Sequence, residues 1–159
     1  METQKPLPTQ DAFRIQWIIW GALSWSYFMY GFVAIKKIGA GVPSEDWEQA
    51  ALVKSLGLIA LGFLFLTHFL SKKIFLVSVR SQTDLDEGLI IARAIIPNII
   101  SWALTESIAI FGLFLTFKTN DMIPYYLFAS VAFANMLILR PSKEKWLTLA
   151  KQNGSLRRS

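Results

Sequence analysis

The feature that most constrains this chain is a set of four long apolar runs separated by polar stretches. A helix of about 20 apolar residues is long enough to cross the hydrocarbon core of a bilayer, and only helices or closed barrels satisfy their backbone polar groups in lipid. Of the 159 residues, 53% are hydrophobic, and they are concentrated in these runs. The sequence therefore predicts an all-α, four-helix transmembrane bundle, with spans at about residues 17–35, 51–70, 94–117 and 123–139.

Polar segments flank this single membrane domain, residues 17–140. Residues 1–16 are polar and precede an aromatic-rich run without a small-residue cleavage pattern, so they are expected to be an uncleaved tail and not a signal peptide. Residues 141–159 are basic and amphipathic, and a short surface helix is expected there, ended by Asn153 and Gly154.

Helix-capping residues predict where two of the helices begin. Ser44, followed by Glu45 and Asp46, suits the N-cap of the second helix because acids in the first turn favour the helix dipole. Thr83 is the corresponding residue of the third helix, which is expected to begin near residue 84. That helix would extend into the cytoplasm by several turns.

The lysines and arginines predict the orientation of the chain. Twelve of the 16 fall on the side of the two termini, and only Lys36, Lys37, Lys54 and Lys118 fall on the other side. Because cytoplasmic loops carry the excess of basic residues, both termini are predicted to be cytoplasmic and the membrane to be the inner (cytoplasmic) membrane of a cell. The basic residues lie at membrane edges, so the net charge of +5 indicates topology and not nucleic-acid binding.

An internal repeat links the first and third spans. The segment IIWGALSWSYFMYGFVAIKK, from Ile18, aligns without a gap with IISWALTESIAIFGLFLTFK, from Ile99, and the second and fourth spans correspond more weakly. A two-span unit returns the chain to its starting side, so duplication predicts two helical hairpins in the same orientation, related by a pseudo-two-fold axis. The alternative is chance similarity between two apolar helices.

Glu106 is an acidic residue in the middle of the third apolar run. A charged side chain at the bilayer centre costs about 2.5 to 17 kcal/mol, so such a residue is usually neutralised, paired or functional. No lysine or arginine is expected at its depth, and Glu106 is expected to be neutral at pH 7. Thr105 on the same helix and, through the repeat alignment, Ser24, Ser26 and Tyr27 on the first span are the candidates to share its proton.

The only histidine, His68, is not expected to pair with Glu106. It lies about one turn from the cytoplasmic end of its span, whereas Glu106 is about ten residues, or ~15 Å, inside the third span.

Small and polar residues form a stripe along one side of the third span. Their spacings of three and four place them on one helix face; they are Asn98, Ser101, Thr105, Ala109, Gly112 and Thr116, called here the small-residue stripe. Small residues let another helix backbone approach closely, and hydroxyl groups can bond between helices. The stripe therefore predicts a tight helix–helix contact and self-association of the chain.

The run ALTESIAIFGLFLTF, from Ala103, resembles the carboxylate-bearing helix of the rotor-ring proteolipid, the c subunit, of rotary ATP synthases. A duplicated hairpin with one carboxylate is similar to the four-span proteolipids of vacuolar-type ATPases, and the glutamate helix resembles that of a loose set of four-span bacterial membrane proteins. The resemblance covers one span of four. It implies that Glu106 is a proton or sodium site, with Thr105 as a neighbouring oxygen donor.

The sequence contains no pattern typical of an enzyme, a cofactor site or a metal site. No HExxH, GxSxG or phosphate-loop motif is present, and without cysteine neither a thiolate ligand nor a disulfide can form. Two functions stay open: an oligomeric membrane protein with a structural or accessory role, whose protonated Glu106 joins helices, and a proteolipid-like subunit that carries protons or cations. The expected partners are the lipid bilayer and further copies or other subunits of a membrane complex.

Overall fold

The computed structural model describes residues 9–38, 47–80 and 85–153 of the chain. The regular elements in these ranges are all α-helices, which confirms the predicted all-α class. They are α1 (Thr9–Ile38), α2 (Trp47–Val79), α3 (Glu87–Arg93), α4 (Ile95–Thr119), α5 (Ile123–Ile138) and α6 (Lys143–Gln152).

Length and apolar character show which helices can cross a membrane. Within the described residues three can do so: α1, α2 and the stretch Glu87–Thr119, which contains α3 and α4. The fourth predicted span coincides with α5, whose 16 residues extend about 24 Å, less than the ~30 Å hydrocarbon core. α5 qualifies only together with α6, across a bend of 62°. By length and composition, the described residues thus contain three helices that can cross a membrane, or four if the bent pair is one span.

A break divides the predicted third helix. The helix begins at Glu87, and Ala94 separates α3 from α4. Pro97 lies three residues after Ala94 and has no N–H to donate to the carbonyl of Arg93, so regular helical bonding is interrupted at this turn. α3 and α4 still follow one another closely enough to count as one span.

The capping residues of the helices are only partly within the described ranges. Ser142 is the N-cap of α6, because its hydroxyl accepts a hydrogen bond from the backbone N–H of Lys145 at 3.4 Å. Asn153 follows the last helical residue of α6. The predicted N-caps Ser44 and Thr83, and also Gly154, lie outside the described residues.

α4 is the central helix of the bundle. It packs against α1, α2 and α5, and the short turn between α4 and α5 makes these two an antiparallel pair. Among the described residues, α1 and α2 do not form a packed pair, since α1 packs on α3, α4 and α5 while α2 packs on α3, α4 and α6. Only the second of the two predicted hairpins is therefore a packed hairpin, and the structure does not support two equivalent ones.

Buried apolar side chains form two clusters. The bundle core lies between α1, α2, α4 and α5; its buried members are Tyr27, Ala60, Trp102, Ile108, Ala109, Ala132, Met136 and Leu139. The end core joins α6 to α2, α3 and the beginning of α1; its buried members are Ala12, Phe75, Val79, Leu85, Ile90, Ile91, Ala94, Trp146 and Ala150. In the end core the rings of Phe75 and Trp146 lie 4.6 Å apart, which fixes α6 against α2.

Side chains from neighbouring helices cap both ends of α5. The hydroxyl of Thr116 accepts a hydrogen bond from the N–H of Tyr125 at 3.0 Å. At the other end, the indole N–H of Trp20 donates to the carbonyl of Met136 and that of Trp102 donates to the carbonyl of Leu139, both at 2.9 Å. Helix ends leave backbone groups unpaired, and lipid offers no water to pair them. These bonds let a short helix end within or near the hydrocarbon region.

The predicted orientation can be tested by labelling single cysteines, because the chain has none of its own. A cysteine at position 42 is expected to react with a membrane-impermeant maleimide in sealed cells, and a cysteine at position 154 only after permeabilisation, since basic residues favour the cytoplasmic side. Labelling of position 154 but not position 42 in sealed cells would reverse the orientation.

Candidate functional site around Glu106

The carboxyl group of Glu106 is held by two hydroxyl groups of α1. Ser26 donates to Oε1 of Glu106 at 2.9 Å, and Tyr30 donates to the same oxygen at 2.7 Å. Ser26 and Tyr30 are four residues apart, which places them on one face of α1. The half-buried Glu106 side chain therefore connects α4 to α1 inside a single chain, and Oε2 takes part in neither bond.

Two acceptors surround the single hydroxyl proton of Ser26. Ser26 Oγ also lies 2.7 Å from the carbonyl oxygen of Leu23, which can only accept, and a serine hydroxyl has one proton to donate. If that proton goes to Leu23, the contact between Ser26 and Glu106 needs a proton on Glu106. A protonated carboxyl is compatible with both contacts, because it can donate to Ser26 while Ser26 donates to Leu23.

The position of Glu106 keeps it far from the basic residues at the two ends of α4, Arg93 at the end of α3 and Lys118 in the last turn of α4. Arg93 is 13 residues before it and Lys118 is 12 residues after it, which at 1.5 Å per residue is about 20 Å and 18 Å. Glu106 is therefore close to the midpoint of the apolar stretch. Its hydrogen-bond partners within the described residues are neutral hydroxyl groups and not cations.

Of the candidates on α1, the structure brings Ser26 to Glu106 but not Ser24 or Tyr27. Both of these side chains are buried, and neither hydroxyl has a hydrogen-bond partner in the described structure. The ring of Tyr27 packs edge-on against Phe133 of α5, with centroids 6.1 Å apart. Ser24 and Tyr27 thus line the side of α1 that faces the bundle core.

Tyr30 is the functional contact that the sequence prediction missed. The repeat alignment places Trp25 at the position of Glu106, so the predicted partners of Glu106 were residues within two positions of Trp25. Side chains on a helix point toward its N-terminus, so the long Tyr30 side chain reaches back one turn to the level of Ser26. Side-chain direction was therefore the signal that could have identified it.

Thr105 does not contact the carboxyl group of its neighbour. Its hydroxyl donates to the carbonyl of Ser101 at 2.9 Å and accepts from the amide of Asn135 on α5 at 2.8 Å. Thr105 therefore binds α4 to α5, on a different face of α4 from Glu106. The oxygen-donor role implied by the proteolipid resemblance has no counterpart in this arrangement.

The small-residue stripe is buried inside the chain along its whole length. α5 covers most of it: a Cβ atom built on Gly112 would lie 2.6 Å from Cβ of Phe128 and 3.1 Å from the carbonyl oxygen of Pro124. α2 and α1 cover the rest, because Ser101 donates to the carbonyl of Thr67 at 3.1 Å and Asn98 donates to the Gln16 side chain at 2.7 Å. The tight contact thus forms within one chain, and the stripe leaves no free surface for the self-association that the sequence predicted through it.

A close approach also joins α1 to α5. The ring and hydroxyl of Tyr125 lie 3.2 Å from a Cβ built on Gly31, and the Tyr125 hydroxyl donates to the carbonyl of Tyr27. Gly31 and Gly112 are equivalent positions in the repeat alignment, and both lie against the first turn of α5. Glycine is needed at position 112, where backbone atoms of α5 occupy the space of a side chain, whereas a Cβ at position 31 would require the Tyr125 side chain to shift by a few tenths of an ångström.

Neither a metal site nor a histidine relay is found in the described part of the chain. No group of three or more His, Asp or Glu side chains is arranged there to hold a metal ion. His68 is exposed on α2, and its side chain is not among the hydrogen-bond partners of Glu106.

No protein-family model matches this chain, and no characterised protein or solved structure is significantly similar to it. The resemblance of its glutamate helix to rotor-ring proteolipids therefore stays a prediction, and the function has to be argued from the geometry.

Proposed function

We propose that this chain is a small multi-pass membrane protein with a structural or accessory role, in which protonated Glu106 holds α1 against α4. The supporting observation is that both hydrogen bonds to the carboxyl group come from α1 of the same chain. A group used as an internal clamp needs partners on a second helix, and Ser26 and Tyr30 provide them.

α1 depends on polar contacts because its surface is mainly turned outward. Large apolar side chains along it are exposed, among them Ile18, Trp25, Phe28 and Phe32. Lipid is as apolar as these side chains, so burial against other helices gives little driving force, and packing and hydrogen bonds hold membrane helices together. α1 forms such hydrogen bonds to other helices at four points along its length. They involve Gln16, Trp20, Ser26 with Tyr30, and the carbonyl of Tyr27.

Substitutions of Glu106 test the clamp. Glu106→Gln keeps the hydrogen-bonding capacity of a protonated carboxyl, and it is expected to leave the thermal stability in detergent close to that of the parent. Glu106→Leu removes the partner of the Tyr30 hydroxyl and leaves Ser26 with only the carbonyl of Leu23, and it is expected to lower the unfolding free energy by about 1–2 kcal/mol, the upper range for a membrane hydrogen bond. Denaturant titration of the purified chain measures both effects.

Two control variants make this result specific. Tyr30→Phe removes one of the two donors and should cost about 0.6 kcal/mol, the average for such bonds. Ser107→Ala removes a hydroxyl that bonds only to the Ala103 carbonyl of its own helix and should be nearly neutral. The clamp is wrong if Glu106→Leu is as stable as the parent, or if Glu106→Gln destabilises as much as Glu106→Leu.

A proton- or cation-carrying subunit is the second candidate. It is favoured by the two buried hydroxyls without a partner, Ser24 and Tyr27, on the helix that also supplies Ser26 and Tyr30. Buried polar groups normally have a partner, so these two hydroxyls could bind water or an ion next to the clamp.

If Glu106 carries ions, Glu106→Gln should fold normally but lose proton or sodium flux in vesicles, and it should lose labelling by a carboxyl-reactive carbodiimide. Parent vesicles without flux above empty vesicles would remove this candidate.

The oligomeric state of the chain and the membrane in which it lies are proposed together with its function. We propose the inner membrane as the location, from the basic residues near the termini. An oligomer or a larger complex would have to use exposed apolar faces, because the small-residue stripe is already covered by α5, α2 and α1.

A further inference from the structure

Two lysines from different helices flank the place where α6 packs on α2. Lys72 lies three residues before Phe75 on α2, and Lys145 directly precedes Trp146 on α6. The Phe75 and Trp146 rings are in contact at a centroid distance of 4.6 Å. Because these rings belong to neighbours of the two lysines in the chain, Lys72 and Lys145 both flank the contact between α2 and α6.

No acidic side chain balances this pair among the described residues. The nearby Glu144 accepts a hydrogen bond from Ser142 at 3.1 Å and is exposed. Lys145 is half-buried, with its Nζ 4.9 Å from the Trp146 ring centroid. Burial, and secondarily the charge of Lys72, lower the pKa of Lys145. Two like charges in a partly desolvated place are unfavourable unless a counter-charge is supplied.

The lysine pair lies at the boundary between apolar and polar surface. Phe69 and Phe65, one and two turns before Lys72 on α2, are exposed apolar side chains of the kind that face lipid. α5 ends just before Arg140, and α6 follows after the bend. Further cations flank the pair, with Lys73 over Phe69 and Lys143 over Phe13. Lipid phosphates occupy this level of a bilayer, and lysines near an anionic surface bind to it.

We propose that Lys72 and Lys145 bind the phosphate of an anionic phospholipid headgroup in the leaflet on the α6 side. The headgroup supplies the missing counter-charge, and its acyl chains can lie along the exposed apolar face of α2. A zwitterionic lipid carries its own ammonium group and offers no net charge to the pair. The lipid would therefore fasten α6 to α2 at the surface of the membrane.

Lipid binding by the full chain tests this site. The chain in a neutral detergent is titrated with phosphatidylglycerol, phosphatidylcholine or inorganic phosphate, and bound molecules are counted by native mass spectrometry. The parent is expected to prefer phosphatidylglycerol. Lys72→Met and Lys145→Met should each weaken its binding about fivefold, the equivalent of ~1 kcal/mol per lysine near an anionic surface.

Lys151→Met is the matched control, because it removes an exposed lysine of the same helix with the same change of net charge. It should bind phosphatidylglycerol as the parent does, and Lys145→Arg, which keeps the charge, should do so too. Equal losses in Lys145→Met and Lys151→Met, or equal binding of the two lipids, would overturn the proposal. So would saturation of the site by inorganic phosphate at the concentrations that saturate it with lipid.

Thermal stability gives an independent test, because Lys145→Met should be more stable than the parent in neutral detergent but should not gain stability from phosphatidylglycerol. In neutral detergent, Lys145→Met should raise the melting temperature by about 2–4 °C, because the charge repulsion is gone. With phosphatidylglycerol the parent should gain stability and Lys145→Met should not. Since the pKa of Lys145 is lowered in the folded chain, the unfolded state binds more protons, so the lipid-free parent should become more stable as the pH rises toward the ordinary lysine range. A destabilised Lys145→Met variant in neutral detergent would contradict an uncompensated lysine pair.

Discussion

Gly112→Leu is expected to lower the unfolding free energy by about 3 kcal/mol, the upper end of the range for overpacking. Even the first added atom would lie 2.6 Å from Cβ of Phe128, 3.1 Å from the Pro124 carbonyl oxygen and 3.3 Å from Cα of Tyr125. Two of these three atoms belong to the backbone, and Cβ of Phe128 moves only with it, so rotation of a side chain cannot relieve the clash. α4 and α5 would have to separate, which also strains the bond between Thr116 and Tyr125. Denaturant titration in detergent measures the loss.

Gly62→Leu is the matched control for this prediction. Gly62 is also a helical glycine, but a Cβ built on it meets no other atom within 4 Å, and its position on α2 is exposed. The same substitution should therefore be neutral or slightly stabilising, since leucine favours a helix more than glycine does. Equal stability of Gly112→Leu and Gly62→Leu would disprove the close approach of α4 and α5.

Trp102→Ala is expected to lower the unfolding free energy by about 3–5 kcal/mol, the usual cost of removing a large buried ring. The side chain of Trp102 is 0% exposed and lies in the bundle core. Its indole N–H also pairs the carbonyl of Leu139 at the end of α5. The alanine variant would leave both a cavity and an unpaired carbonyl, and thermal unfolding followed by circular dichroism would record the shift.

Two further variants separate the causes of this loss. Trp102→Phe keeps most of the ring but not the N–H, so it should cost only part of the full amount. Trp25→Ala removes the same side chain from the outward face of α1, where it is 65% exposed, and it should change stability little. If Trp25→Ala and Trp102→Ala had the same effect, burial in the bundle core would not explain the role of Trp102.

The proposed clamp and the proposed lipid site act on different parts of the chain. Glu106 joins α1 to α4 within the apolar region, whereas Lys72 and Lys145 lie beside the end core that holds α6. Glu106→Leu is therefore expected to leave phosphatidylglycerol binding intact, and Lys145→Met to leave the α1–α4 contact intact. The two proposals can fail separately.

The amino-acid pattern alone determined the helical class, the long apolar helices and the importance of one face of α4. Apolar run length decides whether a helix suits lipid, and small residues at spacings of three and four mark a face for close packing. These properties are local, so they are readable from the order of residues. Depth along the helices also indicated Ser24, Ser26 and Tyr27 as neighbours of Glu106, but of these only Ser26 forms a hydrogen bond with it.

Only the tertiary structure decided which helix covers each face. The pattern of the small-residue stripe fits a second copy as well as α5, and the contact of Gly112 with Phe128 shows that α5 takes this place. The internal similarity of the first and third spans could not show that, in the described part of the chain, α1 and α2 each pack against α4 and do not form a packed pair. The reach of Tyr30 to Glu106 likewise depends on side-chain direction, and the packing of α6 on α2 depends on the bend before α6. A helical pattern defines a face, but the choice of its partner is made by the packing of the whole bundle.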